Sequence, residues 1–133
     1  MIKGYIFDTS VWIDFFKGNN SEQTRLLVYL LENDLPVYYC PVILQEVLQG
    51  IKKDSELEEV KEGFTVLNKL YEDPYQAATG AAEIYRNLRK KGITIRKGND
   101  CLIAWYGIKN DLEIIHRDRD YDMIKLNSAG MFL

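Results

Sequence analysis

Short apolar runs alternate along the chain with segments whose apolar positions recur at helical spacing. The apolar runs at residues 2–7, 37–40 and 112–115 have the length of buried strands. The segments between them carry leucine, isoleucine and valine at every third or fourth position, which predicts amphipathic helices. Strands that alternate with helices in this way predict a layered α/β domain with a mainly parallel sheet.

The helix predictions follow from capping residues as well as from periodicity. Asp8 precedes the first helix, and Pro41 suits the first turn of the third. A nearly all-round apolar helix begins at Asn99-Asp100 and should be central and buried. Two further expectations concern weaker signals: one continuous helical stripe over residues 57–71, and a weak strand at residues 123–126.

Length and composition are those of an ordinary globular domain. The chain has 133 residues, 47% of them hydrophobic and 28% charged, which fits one domain with a real core. No apolar run approaches the roughly 18 residues that cross a membrane, and no secretory cleavage pattern follows the first segment, so a cytoplasmic protein is expected. Cys40 and Cys101 belong to no CxxC pair, so we expect buried free thiols.

The net charge of −3 does not by itself suggest a nucleic-acid ligand. The charges are uneven, however: residues 54–62 are rich in acids, and residues 86–97 are rich in lysine and arginine. A local basic surface can steer a phosphate backbone even on an acidic protein. The alternative is that both runs are solvated helix faces, and we favour it for the acidic run.

Four acidic residues occupy the positions where an open parallel sheet binds ligands, outside the carboxyl ends of its strands. Asp8 ends the first strand, and Asp118 follows the strand that ends at residue 115. Glu46 lies one turn into the helix after the second strand, and Asp100 begins the buried helix. We therefore expect all four to face one edge of the sheet.

Carboxylates brought together repel one another unless a cation neutralises them. Hard oxygen ligands suit Mg²⁺ or Mn²⁺, and such an ion activates water and stabilises charge on a phosphoryl group. The cluster therefore predicts a metal-dependent site that cleaves phosphodiesters.

Each acid also has a purely structural interpretation. Asp8 could be only a helix N-cap, Asp100 could complement a helix dipole, and Glu46 could be a surface residue beside an apolar stripe. A polar turn is the corresponding alternative for three acids near the last strand: Asp118, Asp120 and Asp122. The combination is harder to explain structurally, because each acid borders strongly apolar sequence.

Four segments resemble the motifs of a known family. They are YIFDTSVWID at residues 5–14, PVILQEVLQG at 41–50, GNDCLIA at 98–104 and HRDRDYD at 116–122. In this order and spacing they are similar to the four motifs of PIN domains, especially the VapC-type toxins of prokaryotic toxin–antitoxin pairs. The likeness spans almost the whole chain, so residues 1–133 are expected to form a single PIN-like nuclease domain.

The resemblance implies a Rossmann-like three-layer sandwich, with the parallel sheet flanked by helices, and endonucleolytic cleavage of RNA that depends on Mg²⁺ or Mn²⁺. It also implies a homodimer and a cognate antitoxin that occludes the site. By position, the catalytic and metal-binding acids are Asp8, Glu46, Asp100 and Asp118, with Asp120 as a possible additional ligand. Whether Asp118 or Asp120 is the fourth ligand stays open, as does the number of metal ions.

The chain departs from the family pattern at two positions. His116 stands where threonine or serine is common, and Tyr121 stands where phenylalanine is common. His116 is the only histidine, and we expect it to be structural, since water activated by a metal needs no histidine base. Arg86, Lys97 and Arg117 are candidates to hold the RNA backbone, with simple surface charge as the alternative.

Other function classes remain open from the sequence. One is a PIN-like metal-dependent nuclease that acts on DNA, such as a flap-type nuclease, or in RNA processing. Another is a non-catalytic partner-binding module whose acids are only caps. A P-loop or dinucleotide enzyme is disfavoured, because no glycine-rich phosphate motif follows the first strand.

Overall fold

The centre of the molecule is a parallel four-stranded sheet. The computed structural model describes residues 3–127, apart from the side chains of Arg119, Leu126 and Asn127. Its strands are β1 (Gly4–Phe7), β2 (Val37–Tyr39), β3 (Asn68–Lys69) and β4 (Leu112–Ile115). They pair in the order β3-β2-β1-β4, and all three pairings are parallel. The predicted α/β fold with a parallel sheet is confirmed.

Helices connect the strands and cover the sheet, and local sequence explains where several of them begin and end. Ser21 and Thr24 form a reciprocal capping box at the start of the second helix, and Asp73 accepts two backbone N–H groups at the start of the fifth. Gly18 ends the first helix with a left-handed φ of 74°. The described helices are α1 (Thr9–Lys17), α2 (Glu22–Glu32), α3 (Pro41–Gln49), α4 (Asp54–Thr65), α5 (Pro74–Lys90), α6 (Gly98–Lys109) and α7 (Arg119–Asn127).

The order of the strands reverses beside β1, which places a crevice at the carboxyl ends of β1 and β4. β1 lies between β2 and β4, and Ile6 and Phe7 on its two faces are fully buried. The register pairs Phe7 with Ile115, and the Asp8 N–H donates to the Ile115 carbonyl at 2.9 Å. The residues that follow the two strands therefore meet at this edge.

The prediction of a strand at residues 123–126 is wrong, because these residues belong to α7. The side chain of Asp118 accepts the Asp120 N–H at 2.9 Å, and its carbonyl accepts the Tyr121 N–H. These bonds favour a helical turn. Tyr121 and Ile124 are both buried, three residues apart, which is helical spacing.

The apolar stripe over residues 57–71 is not one helix. α4 ends at Thr65, and the chain then forms the two-residue strand β3, which the sequence did not predict. β3 pairs with β2 at the edge of the sheet, and both of its residues are exposed. So short a strand has no apolar alternation by which it could be detected.

Both cysteines lie in the interior. Cys40 and Cys101 are buried free cysteines, as predicted, and burial raises the pKa of each thiol to about 11. Among the residues that the structure describes, no helix combines the length and the apolar character needed to cross a membrane. Ile2, which was assigned to the first strand, lies outside the described residues.

Candidate active site

A polar cavity of about 490 Å³ opens where the ends of β1 and β4 meet α6. Three of the four acids predicted from the sequence line it, together with three basic side chains and one serine. The lining residues are Asp8, Ser10, Arg96, Lys97, Asp100, Arg117 and Asp118. The expectation that these acids face one edge of the sheet is confirmed for those three.

Asp8 caps α1 and at the same time faces the cavity. Its Oδ2 atom accepts the Ser10 N–H at 3.1 Å and the Ser10 hydroxyl at 2.5 Å. The N-cap interpretation is therefore correct, but it accounts for only one carboxylate oxygen. Asp8 is only 7% exposed, so the helix cap holds a buried acid at the end of the central strand.

The hydroxyl of Tyr121 lies between Asp8 and Asp100. It is 2.6 Å from Asp8 Oδ1, to which it donates, and 3.2 Å from Asp100 Oδ1. Burial, and then the charge of Asp8, raises the pKa of Asp100 to about 6. Burial, followed by the same two carboxylates, raises the pKa of Tyr121 far above its usual range, so the phenol keeps its proton.

Glu46 lies at the margin of this site. The Thr9 hydroxyl donates to Glu46 Oε1 at 2.7 Å, and the Asn99 amide donates to Oε2 at 3.4 Å. Thr9 follows Asp8 in the sequence, and Asn99 precedes Asp100, so α3 places Glu46 beside the segments that carry these two acids. Glu46 is half-buried and does not line the cavity.

Asp118 and Asp120 share an arginine that the sequence did not identify. Arg96 lies 3.1 Å from both Asp118 oxygens, and its Nε is 3.4 Å from Asp120 Oδ2. The Asp120 N–H, with Arg96 as a further cause, lowers the pKa of Asp118. The available sequence signal was the position of Arg96 in a basic run just before Asp100.

Carboxylate oxygens of Asp100, Asp118 and Asp120 lie close enough together to hold one metal ion. One oxygen from each lies within 4.8 Å of the other two. Oxygen donors without cysteine or histidine suit a hard divalent cation. Burial raises the pKa of Asp100, and the negative charge of Asp8 raises it further; a bound cation would offset that charge. The residues therefore fit a divalent metal ion, and Asp8 borders them through Tyr121.

Comparison with known proteins identifies the family. The family model described as the PIN domain matches residues 5–126. The chain belongs to the PIN-domain family. Its relatives include the VapC ribonuclease Mb1587 of Mycobacterium bovis and ribonuclease VapC11 of Mycobacterium tuberculosis. Each is 36% identical over an alignment of 126 residues, and the alignment covers 90% of each chain.

Two solved structures share the PIN fold. A toxin–antitoxin complex from Klebsiella pneumoniae matches with a TM-score of 0.59 and 21% identity, over 96% of this chain and 92% of the other. VapBC2 from Rickettsia felis, bound to a DNA fragment from its promoter, matches with a TM-score of 0.62 and 18% identity. The match covers 86% of this chain and 99% of the other. At these low sequence identities, the similarity shows a shared fold only.

Two of the three basic residues proposed from the sequence line the cavity of this PIN domain. They are Lys97 and Arg117, whereas Arg86 is exposed on α5 and is not among the lining residues. Arg117 is anchored by Asp14, whose Oδ2 lies 2.8 Å from the guanidinium. Asp14 could not be identified from the sequence, because a single acid inside an aromatic helix carries no distinctive pattern.

His116 makes structural contacts beside the site. Its Nε2 lies 3.2 Å from Asp122 Oδ1, and its ring packs on Tyr121 with 5.1 Å between the centroids. Its carbonyl accepts a hydrogen bond from Gln23. His116 does not line the cavity, which agrees with the structural role expected for it.

Proposed function

We propose that this PIN-domain protein is a divalent-metal-dependent endoribonuclease, a hydrolase of phosphodiester bonds, and the toxin of a type II toxin–antitoxin pair. One observation carries the proposal: Asp8, Asp100 and Asp118 share a cavity with the cations Lys97 and Arg117. Acids that fit a metal ion, set among bases that fit a phosphate backbone, suit phosphodiester cleavage. The ribonuclease names of the 36%-identical relatives support RNA as the substrate.

The proposed metal ion is Mg²⁺ or Mn²⁺. Asp100, Asp118 and Asp120 would hold it, with Asp8 and Glu46 as the remaining acids of the centre. When bound, such an ion activates water and offsets the charge that develops on the phosphate during hydrolysis.

The chain's own side chains supply binding and orientation. Lys97, just before α6, and Arg117, just after β4, both line the cavity and bind phosphate groups of the RNA backbone. Asp14 forms an ion pair with Arg117, and Ser10 fixes Asp8 through two hydrogen bonds. The site is therefore arranged before the substrate arrives.

The substrate class is tested by cleavage assays on labelled RNA and on branched DNA, with Mg²⁺, with Mn²⁺ and with EDTA. We expect internal cleavage of RNA that EDTA abolishes and that Asp8→Asn strongly reduces. Preferential cleavage of branched DNA would support the alternative nuclease. Full cleavage by a folded Asp8→Asn variant would contradict the assignment of this acid.

An antitoxin partner is supported by a second surface, an apolar groove of about 500 Å³. The groove lies between α1, α2 and α4, and Phe16 and Val66 on it are 44% and 83% exposed. Glu56 and Glu59 are also among its lining residues, so an amphipathic segment with basic flanks fits it. Both structural neighbours are toxin–antitoxin complexes, which supports an antitoxin as the occupant.

The partner is tested by co-expression with the product of the adjacent upstream reading frame. Co-purification is expected, and Val66→Asp in the groove should abolish it. Tyr71→Asp is the matched control, because Tyr71 is 81% exposed and does not line the groove. Loss of the partner in both variants, or in neither, would contradict this surface.

The proposal also includes a single domain over residues 1–133, a homodimer and a cytoplasmic location. Buried free thiols suit a reducing compartment. Light scattering coupled to size-exclusion chromatography would give the mass of a dimer, and a monomer at micromolar concentration would contradict that part.

A further inference from the structure

Tyr121 makes the most buried polar contact of the site. Its side chain is 2% exposed, and its hydroxyl sits between carboxylate oxygens of two acids on different elements. Asp8 follows β1, Asp100 lies in the first turn of α6, and Tyr121 itself comes from α7. One hydroxyl therefore ties together three elements that meet at the cavity.

The hydrogen bonds of Asp8 leave little freedom to its carboxylate. Ser10 holds Oδ2 through its N–H and its hydroxyl, and Tyr121 holds Oδ1. Three donors on one carboxylate fix both the position and the plane of the group. Without the Tyr121 hydroxyl, Oδ1 would lose its donor and would face Asp100 with no proton between them.

We propose that Tyr121 is a positioning residue of the metal centre, whose hydroxyl sets Asp8 and Asp100 in the arrangement that receives the cation. The inference rests on the proposed function, since it concerns the same acids. Hydrogen-bond donors behind metal-binding carboxylates orient them, and their loss typically weakens metal binding ten- to a hundredfold. Phenylalanine would fill the same space without the donor, so the effect belongs to the hydroxyl alone.

The direct test is a calorimetric titration of Mn²⁺ into the parent protein and into Tyr121→Phe. We expect Mn²⁺ to bind the variant about ten- to a hundredfold more weakly. Tyr39→Phe is the matched control, because Tyr39 is also buried but its hydroxyl has no hydrogen-bond partner within residues 3–127. The control should bind Mn²⁺ like the parent, and thermal unfolding should show that both variants are folded.

A second measurement separates positioning from a general structural role. RNA cleavage by Tyr121→Phe should require about ten- to a hundredfold more Mn²⁺ for half-maximal rate and should recover most of the parental rate at saturating Mn²⁺. A variant that is only misfolded would not be rescued by metal.

The outcomes also distinguish this inference from the proposed function. If the parent binds Mn²⁺ and Tyr121→Phe binds it equally well or more tightly, the positioning role is wrong and the metal centre stands. If the parent itself binds no Mn²⁺ and cleaves no RNA, the proposed function fails, and the role of Tyr121 fails with it. A loss of cleavage that saturating Mn²⁺ does not restore would also overturn the positioning role.

Discussion

Asp14 and Arg117 form an ion pair of 2.8 Å beside the cavity, with the carboxylate buried and the guanidinium half-exposed. The other Asp14 oxygen accepts the Asn19 amide at 3.2 Å. The carboxylate is thus held by α1 and by the turn that follows it. The pair presents a fixed guanidinium to the cavity, where a phosphate group would approach.

Replacement of Arg117 by glutamine should have two separable effects. It should weaken RNA binding, and it should lower the free energy of unfolding by about 1–3 kcal/mol, because it leaves the buried Asp14 carboxylate without its partner. Adding Asp14→Asn should recover the stability and leave RNA binding weak. Urea unfolding and RNA binding by fluorescence anisotropy measure the two effects.

Two results of this double-mutant comparison would contradict the roles assigned to Arg117. If Asp14→Asn restores both stability and RNA binding to Arg117→Gln, then Arg117 does not contact the substrate. If the single variant is as stable as the parent, the ion pair does not stabilise the fold.

Arg96 would compete with the proposed metal ion for Asp118 and Asp120. Since its guanidinium contacts both carboxylates, Arg96→Gln should bind Mn²⁺ about two- to fivefold more tightly than the parent. Lys97→Gln removes the same charge from the same cavity without a direct ion pair to these acids, so its change should be smaller. Equal shifts in the two variants, measured by calorimetry at one ionic strength, would show that only net charge matters.

The raised pKa of Asp100 predicts the pH dependence of the metal-free protein. The folded chain holds this proton with a pKa of about 6, compared with about 3.9 for an unfolded aspartate. Protonated Asp100 therefore adds stability below about pH 4, and this is lost as the pH rises through 6. The full shift corresponds to about 3 kcal/mol, but the carboxyl borders an open cavity, so we expect about 1 kcal/mol.

Unfolding in EDTA between pH 4 and pH 7.5 measures the contribution of Asp100 to stability. The stability of the parent should fall with rising pH relative to Asp100→Asn, which has no proton to lose. Identical pH profiles for the two proteins would contradict the raised pKa. Mn²⁺ binding by the parent should weaken below pH 6, since the proton and the metal compete for the same carboxylate.

Gly80 allows α5 to approach α6 closely. A Cβ atom at residue 80 would lie 2.0 Å from Trp105 Nε1, and Trp105 is buried. Gly80→Ala should therefore lower the free energy of unfolding by about 2 kcal/mol. Gly63→Ala in α4 meets no atom within 4 Å and should raise it by about 0.5–1 kcal/mol. Thermal unfolding measures both, and a neutral Gly80→Ala would contradict the packing of these helices.

The acids could be predicted because their position in the sequence fixes their position in the fold. Asp8 and Asp118 each follow an apolar strand, and parallel strands bring such ends to one edge. Glu46 is placed by a helix whose apolar face is clear in the sequence, and Asp100 by a helix that is apolar nearly all round. Local pattern was sufficient wherever a residue's neighbours in sequence determine where it lies.

The residues that support the acids could not be predicted in the same way. Tyr121 reaches Asp8 across 113 positions, and Arg96 reaches Asp118 across 22. Such contacts depend on side-chain packing between elements, which periodicity does not encode. The edge strand β3 was missed because backbone pairing alone defines its two exposed residues.

Asp100→Asn, assayed with Mn²⁺ in excess, tests most directly whether the acids around the cavity perform metal-dependent cleavage of RNA. RNA cleavage and Mn²⁺ binding should be measured on the parent, on Asp100→Asn and on Asp111→Asn, an exposed aspartate that pairs with Lys3. We predict that Asp100→Asn loses Mn²⁺ binding and about a hundredfold or more of the cleavage rate, whereas Asp111→Asn loses neither. A folded Asp100→Asn variant that cleaves RNA at the parental rate would contradict the account.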